Sequence, residues 1–464
     1  MTDLLRLTAD SAARFLDSLD ERRITPQASV EELRETLGGP LPERGLDDER
    51  VIADLVAAAE PGIMGMPSGR FFGFVLGGAL PSAVAADWLT SAWDQNAGLI
   101  GPSPSAGVVE EVALEWLREL LGLPAGVSAG FVTGCQLAHV TALAAARHRV
   151  LERASWDVMR EGLQGSPRIR VVVGEERHVT LDRALRFLGI GAAQIEAVPA
   201  DAQGRMRVEL LPDALASGEG PTIVCAQLGN VNTGACDDVA AVADAVEGTG
   251  AWLHVDGAFG LWAAASPRFR HLAAGAERAD SWATDAHKWL NVPYDSGLAF
   301  CADREAHRAA MSVQASYLEQ VDPDAARDPM DWNPEFSRRA RGFPIYAAIR
   351  ALGREGVGAM VERCCDHAAR FAEILGAADG AEILNEVVLN QVLVRFGGDD
   401  AVTRETVAAV QADGTCWLSG TVWQGRAAMR ISVSNWRTTA EDVELSAAAI
   451  LRAAAAVRGA VGAS

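Results

Sequence analysis

Residues 252–291 read WLHVDGAFGLWAAASPRFRHLAAGAERADSWATDAHKWLN, and the fold is read outward from them. One apolar run ends at Asp256, and a second leads to Lys288, the centre of a His-Lys-Trp triplet. Short apolar runs bounded by turn residues are buried strands, so an acid and a lysine both stand at strand ends. Upstream the same order of strand, turn and helix recurs. AGFVTG (129–134) precedes the alanine-rich CQLAHVTALAAARHRVLERA (135–154), a strong helix former. RIRVVVG (168–174) precedes a helix with apolar positions at Leu181, Leu185 and Leu188, and PTIVCAQLGNVNTG (221–234) precedes DDVAAVADAVEG (237–248). Downstream, DSGLAFCAD (295–303) is a further strand. This alternation predicts an α/β fold with a mostly parallel sheet and right-handed crossovers. Ligands of such sheets gather beyond the carboxyl ends of the strands, where His178, Asn232, Asp256 and Lys288 fall.

The 464 residues suit two domains and a terminal arm. Residues 1–58 alternate helical patterns with proline breaks, Ser29 and Glu32 having the spacing of a helix cap, and read as an appended arm. Residues 59–344 form the large α/β domain. From 345 long helices give way to LNQVLVRF (389–396), GTCWLSGTVW (414–423) and AAMRISVSNW (427–436), a smaller α+β domain running to 464. The polar, Pro-broken stretch 318–337 is long enough to be a lid or binding loop. Phe71, Phe72 and Phe74 lie in a strand-like run beside Gly77 and Gly78, and read first as aromatic core and second as an aromatic wall by a ligand. A net charge of −21 opposes binding to nucleic acid or anionic membranes and points to a small-molecule substrate. Seven cysteines without CxxC or metal-ligand spacing predict reduced thiols and no metal site. With no leader-like segment and no run approaching about 18 apolar residues, a cytoplasmic protein is expected.

A buried carboxylate at a strand end needs a positive partner, and a pyridinium nitrogen would serve. A lysine whose ammonium form is disfavoured becomes an imine-forming amine. Pyridoxal 5'-phosphate uses both, and calls besides for a helix N-terminus at its phosphate and a flat side chain at its face. Thr133 to Gln136 open a helix after a strand, and His178 is planar. Singly these are a plain turn, a helix cap and an ion pair between strands; the combination specifies the cofactor.

HVDGAFG, ADSWATDAHKWLN, FFGF with SPSAGVVEEVALEWLRELLGLP, and RRARGFPIYAAIRALG together resemble the group II pyridoxal-phosphate-dependent amino-acid decarboxylases, the family of the aromatic amino-acid and glutamate decarboxylases. The similarity runs from about residue 60 to 440. It implies a fold type I, aminotransferase-like homodimer with active sites at the subunit interface, the arm interlocking the subunits. It makes Lys288 the Schiff-base lysine, Asp256 the ring-nitrogen partner, His178 the stacked residue and Ala258 a contact below the ring. Gly134, Cys135, Gln136 and His287 fall among phosphate and cofactor contacts, with Asn232 beside them. Phe74, Gly77 and Ile100, the last in the loop 98–104, fall on the substrate side. The implied reaction is decarboxylation of an L-amino acid with an apolar or aromatic side chain.

Two departures bear on that reaction. Leu137 stands in VTGCQLAH where the family usually has Glu. The family's mobile loop carries a tyrosine that returns a proton to the substrate carbon, whereas Tyr294, Tyr317 and Tyr346 all lie outside 318–337. His287, or a residue supplied by the loop of the partner subunit such as Asp331, is then the replacement acid. The same scaffold would also serve an aldehyde-forming decarboxylase, an aminotransferase, a carbon-carbon lyase or a non-catalytic binding protein. Arg430, near a strand end, is read as a surface ion pair or as a partner for a substrate carboxylate.

Overall fold

Strands covered on both faces read as unbroken apolar runs, and those of the predicted sheet do so because they are buried. They are β1 (Ser128–Val132), β2 (Arg170–Gly174), β3 (Ile195–Val198), β4 (Thr222–Gln227), β5 (Trp252–Asp256), β6 (Ser281–Asp285) and β7 (Gly297–Cys301). In the computed structural model, which describes residues 1–313 and 327–461, they lie in the order β1-β7-β6-β5-β4-β2-β3. β2 pairs in parallel with β3 and β4, β4 with β5, and β5 with β6. β7 is antiparallel to both β1 and β6. All strands but β7 therefore point their carboxyl ends to one edge, as the predicted α/β class requires. β3 was not foreseen: its residues are mostly half-buried, and IEAV is too short to carry a period.

The smaller sheet contains β8 (Ala381–Ile383), β9 (Gln391–Phe396), β10 (Ser419–Trp423) and β11 (Arg426–Ser432), ordered β10-β11-β9-β8. The chain divides into two compact units. One comprises residues 1–78, 369–384 and 393–464, and the other 79–368 and 385–392. Neither expected boundary, 58/59 or 344/345, coincides with this division. Position 345 lies inside the first of two helices that meet at a kink at Gly353 within Gly342–Gly376, and the N-terminal segment is tied to the end of the helix Asp400–Asp413 and the turn after it. Arg70 donates to the carbonyls of Thr415, Asp20 and Arg22, and Thr25 Oγ1 to that of Gln411.

The run at 70–75 is not a strand. Phe71 makes one isolated bridge to Trp417, and Phe74 and Val75 have φ of 55° and 59°, left-handed values that end any pleat. Phe71 and Phe72 are core residues, stacked on Trp417 and edge-on to Phe371, while Phe74 is 54% exposed. Of the stretch expected to be a lid, 318–326 lies outside the described residues, as does Tyr317. Pro329, Trp332 and Asn333 are buried, and the Trp332 carbonyl meets His307 Nε2 at 3.1 Å, so this part is a packed anchor. Arg430 is only 9% exposed, which rules out a surface ion pair. All seven cysteines are buried free thiols, and no described helix is long and apolar enough to cross a membrane.

Ser29 and Glu32 form a reciprocal capping box on the helix Val30–Leu37. Ser29→Ala removes one half of it and costs about 1 kcal/mol. Amide exchange across 30–37 is expected to accelerate about fivefold with the rest of the chain unchanged; unchanged exchange there would contradict the cap's role.

Candidate active site

β6 ends at Asp285, and the turn to β7 carries Lys288. That turn is clamped. The N–H groups of Ala286 and His287 donate to the Ser296 carbonyl (3.1 and 3.2 Å), and the Ser296 N–H donates to His287 Nδ1 (3.1 Å). Trp289 and Leu290 are fully buried, so Lys288 alone within 286–290 keeps partial exposure. It is also the only lysine among the 41 lysines and arginines of the chain. Its Nζ lies 3.0 Å from Asp285 Oδ2. Burial by itself would lower the lysine's pKa, but Asp285, with smaller effects from Cys135 and Asp256, raises it. The expectation of a disfavoured ammonium is thus corrected: an acid three residues upstream stabilises the charge.

Asp256, at the end of β5, is 4% exposed. Its Oδ1 accepts from the Ala258 N–H (3.1 Å) and lies 3.5 Å from His139 Nε2 and 4.0 Å from Cys135 Sγ. Burial would raise its pKa, yet the charge and N–H of His139, then His178 and the Ala258 N–H, hold the carboxyl well below the usual range. Two other groups have paid for burial in the opposite sense: His254 and His307 are pushed down to about 3, burial being the main cause. An unfolded imidazole titrates near 6.5, so below that pH the unfolded chain takes up protons the folded one refuses. Stability therefore falls as pH drops from about 6.5 towards 3. A melting temperature that declines from pH 7 to 5 is expected, and a flat profile would contradict it.

The helix Cys135–Arg153 begins after β1. Its first N–H, of Cys135, donates to Asp285 Oδ1 (2.5 Å), and those of Leu137 and Ala138 both reach the Gly134 carbonyl. Helix starts attract anions, and a carboxylate of the chain already stands at this one. Gln136 Nε2 donates to the Thr180 carbonyl (3.3 Å), while its Oε1 is buried without a hydrogen-bond partner. Leu137 packs with Ala258 against Val132, Cys135, Ala138, Ala283 and Ala299, an apolar role for the position where the resemblance led to Glu. A Cβ on Gly297 would lie 2.4 Å from Gly134 Cα. Gly297→Ala therefore has to displace the helix start, with an expected loss of about 1–3 kcal/mol in stability. Thermal melting checks this, and an unchanged midpoint would sink it.

Gly134, Cys135, Gln136, Asp256, Ala258, His287 and Lys288 are thus brought together, linked through Asp285, whose N–H also donates to the Ala258 carbonyl (3.0 Å). His178 joins them beside Gln136 as the cap of the helix Val179–Phe187, its Nδ1 accepting from the Thr180 N–H. Asn232 sits in a turn after β4, its N–H donating to Asn230 Oδ1 (2.9 Å). The Ile100 N–H donates to Asp328 Oδ1 (2.8 Å), away from this cluster's bonds. Phe74 and Gly77 belong to the other compact unit. Sequence reasoning missed His139, His254 and Asp285. The signals were there: His254 alternates with Asp256 on one strand face, and His139 follows Cys135 by one helical turn.

The family model for the pyridoxal-dependent decarboxylase conserved domain matches residues 31–396. The chain belongs to the pyridoxal-dependent decarboxylase family. Tryptophan decarboxylase 1 of Oryza sativa subsp. japonica is 27% identical over 93% of this chain and 89% of its own. L-2,4-diaminobutyrate decarboxylase of Rhizobium meliloti (strain 1021) is 31% identical over 78% of this chain and 73% of its own. The crystal structure of Oryza sativa TDC with PLP and tryptamine has the same fold, with a TM-score of 0.91 at 24% identity, covering 98% of this chain and 97% of that one. As a member of this family, the protein is a pyridoxal-phosphate-dependent carboxy-lyase acting on amino acids. The decarboxylase's residues fit the cofactor: a single lysine and a buried acid kept anionic on the neighbouring strand share one sheet edge.

Proposed function

We propose that this enzyme removes the α-carboxylate of an L-amino acid with an aromatic or large apolar side chain and releases the amine. Lys288 carries the cofactor, Asp256 faces its ring nitrogen, His178 covers its face, and Gly134, Cys135, Gln136 and Asn232 surround its phosphate end. The observation that carries this is the sole lysine of the chain at the sheet edge where Asp256 is buried and held charged. When bound, pyridoxal phosphate supplies an aldehyde that links to amines and a ring that draws electrons from the substrate's Cα bonds. Lys288 has to shed a proton to act as an amine, and Asp285 Oδ2 at 3.0 Å is placed to take it. Asp256, charged in a dry setting, keeps a proton on the nitrogen it faces. Cleavage of the carboxylate leaves a carbon that must be reprotonated. His287 Nδ1 accepts from the Ser296 N–H, so its own proton is on Nε2, 3.4 Å from Asp285 Oδ1, and burial, which lowers the imidazole's proton affinity, favours giving up a second proton to the carbon. Asp331 is paired with Arg308 at 3.3 Å, which favours His287 over it. His287→Gln is expected to lower amine formation at least about tenfold while cofactor absorbance persists; unchanged turnover would exclude this role.

The aromatic preference is supported by the names of several relatives. A second reading, release of an aldehyde, is favoured by the absence of tyrosine from 318–337. Incubating the loaded enzyme with pooled amino acids and identifying products by mass separates them: amine supports decarboxylation, whereas aldehyde with peroxide, or keto acid, supports another outcome on the same scaffold. We further read the working form as a homodimer, because Leu5, Leu7, Val30, Leu37, Val51 and Leu55 expose apolar surface on the arm's helices. Light scattering tests this. The buried free thiols support a reducing, cytoplasmic setting.

A further inference from the structure

Behind Asp256 a line of polar groups runs through a core in which unpaired polar groups are costly. Trp252 Nε1–H donates to Ser281 Oγ (2.8 Å), and Ser281 Oγ lies 2.9 Å from His254 Nδ1. His254 Nε2 lies 2.9 Å from His139 Nδ1, and His139 Nε2 lies 3.5 Å from Asp256 Oδ1. All four residues behind Asp256 are completely buried. The arrangement follows from register: Ser281 on β6 stands opposite His254 on β5, and His254 shares its strand face with Asp256.

The hydrogens are assigned from the two ends, because an indole only donates and an ionised carboxylate only accepts. With a neutral His139, its proton sits on Nε2 facing Asp256, and Nδ1 accepts from His254 Nε2–H. His254 Nδ1 then accepts from the Ser281 hydroxyl. Every link points toward Asp256. A second proton on His139 reverses the inner links: His139 Nδ1–H donates to His254 Nε2, and His254 Nδ1–H donates to Ser281 Oγ. Both imidazoles stay bonded at both nitrogens in either arrangement. The line thus holds one extra proton beside the carboxylate without breaking.

We propose that His139 is a positioning residue of the decarboxylase: backed by His254 and Ser281, it fixes Asp256, keeps it charged, and through it sets how firmly the cofactor's ring nitrogen holds its proton. This rests on the proposed role of Asp256. The contacts of Asp256 with His139, the Ala258 N–H and Cys135 all use Oδ1, which leaves Oδ2 to meet the ring nitrogen. His178, Lys288 and Asp285 are further charged or titratable groups near it, with Arg177, Cys225 and Asp237 on the β4 side. Burial, with His139 next to it, pushes His254 down to about 3.

The test loads the enzyme with pyridoxal phosphate carrying nitrogen-15 in its ring and follows the nitrogen's chemical shift between about pH 6 and 9, with the cofactor dissociation constant measured alongside. In the unmodified enzyme the nitrogen is expected to stay protonated to about pH 8 and to titrate above it, which gives the reference midpoint. Asp256→Asn should leave it unprotonated, which tests the underlying reading. His139→Phe removes both bonds while filling the space; the midpoint should move down by at least about one pH unit, with kcat reduced and KM little changed. His139→Gln, whose amide reaches as far as Nε2, should recover most of that shift. If Asp256→Asn leaves the nitrogen protonated, the role of Asp256 fails and this inference with it. If Asp256→Asn deprotonates it but His139→Phe leaves the midpoint unshifted, the inference alone is overturned. Should His139→Phe not fold, His139→Asn is read in its place, since it keeps a polar partner for His254 but is too short for Asp256; an unshifted midpoint there overturns the inference.

Discussion

Lys288→Arg is expected to abolish covalent retention of the cofactor and to lower kcat by about 10^3-fold or more, the scale on which loss of a covalent catalyst acts. Arginine keeps a cation beside Asp285, so the ion pair at 3.0 Å has a substitute and the turn should hold its shape. What arginine cannot do is form an imine, because its guanidinium does not deprotonate in proteins. The variant has no lysine at all, which removes any possibility of a neighbouring lysine standing in. Melting temperature should change little, since Trp289, Leu290 and the Ser296 clamp are untouched. Retained turnover in the variant would mean that cofactor attachment at Lys288 is not the basis of catalysis.

Asp256→Asn carries the second-largest effect. The side chain keeps its shape and one acceptor for the Ala258 N–H, but loses the charge that His139 helps to maintain. A ring nitrogen facing a neutral amide in a buried site loses the partner that made its protonated form favourable. A loss of about three pH units in its proton affinity corresponds to about 4 kcal/mol, so a fall in kcat on the order of 10^3-fold is expected if that proton is needed in the transition state. The variant should still bind the cofactor covalently, which separates it from Lys288→Arg. Rate measurement with absorbance of the bound cofactor checks both points, and a variant with near-normal kcat would remove Asp256 from the reaction.

The sheet was legible because β1, β5, β6 and β7 are buried at every residue, and burial on both faces writes itself into sequence as an unbroken apolar run. Lys288 and Asp256 were legible for the same reason: a charge directly after such a run has to be accounted for. Other features depend on contacts that no local pattern encodes. The division of the chain follows bonds between residues hundreds of positions apart, such as Arg70 to Thr415. FFGF has strand composition, yet two consecutive left-handed residues turn it, and left-handed Phe and Val are not announced by residue type. The charge state of Lys288 depended on the reach of Asp285 across a clamped turn, and the line behind Asp256 on the meeting of a helix with two strands. The uniqueness of Lys288, in contrast, can be counted directly from the sequence and makes it the one amine-bearing side chain available.

That uniqueness also makes the most direct test simple. The loaded enzyme is treated with borohydride, which fixes an imine as a stable amine, and the peptides are mapped by mass before and after addition of an amino-acid substrate. The pyridoxyl group is expected on the peptide containing Lys288 and nowhere else, with labelling diminished once substrate has displaced the lysine. A label confined to the N-terminal amine, or none on a protein that still turns over, would contradict the assignment of Lys288 as the residue that holds the cofactor.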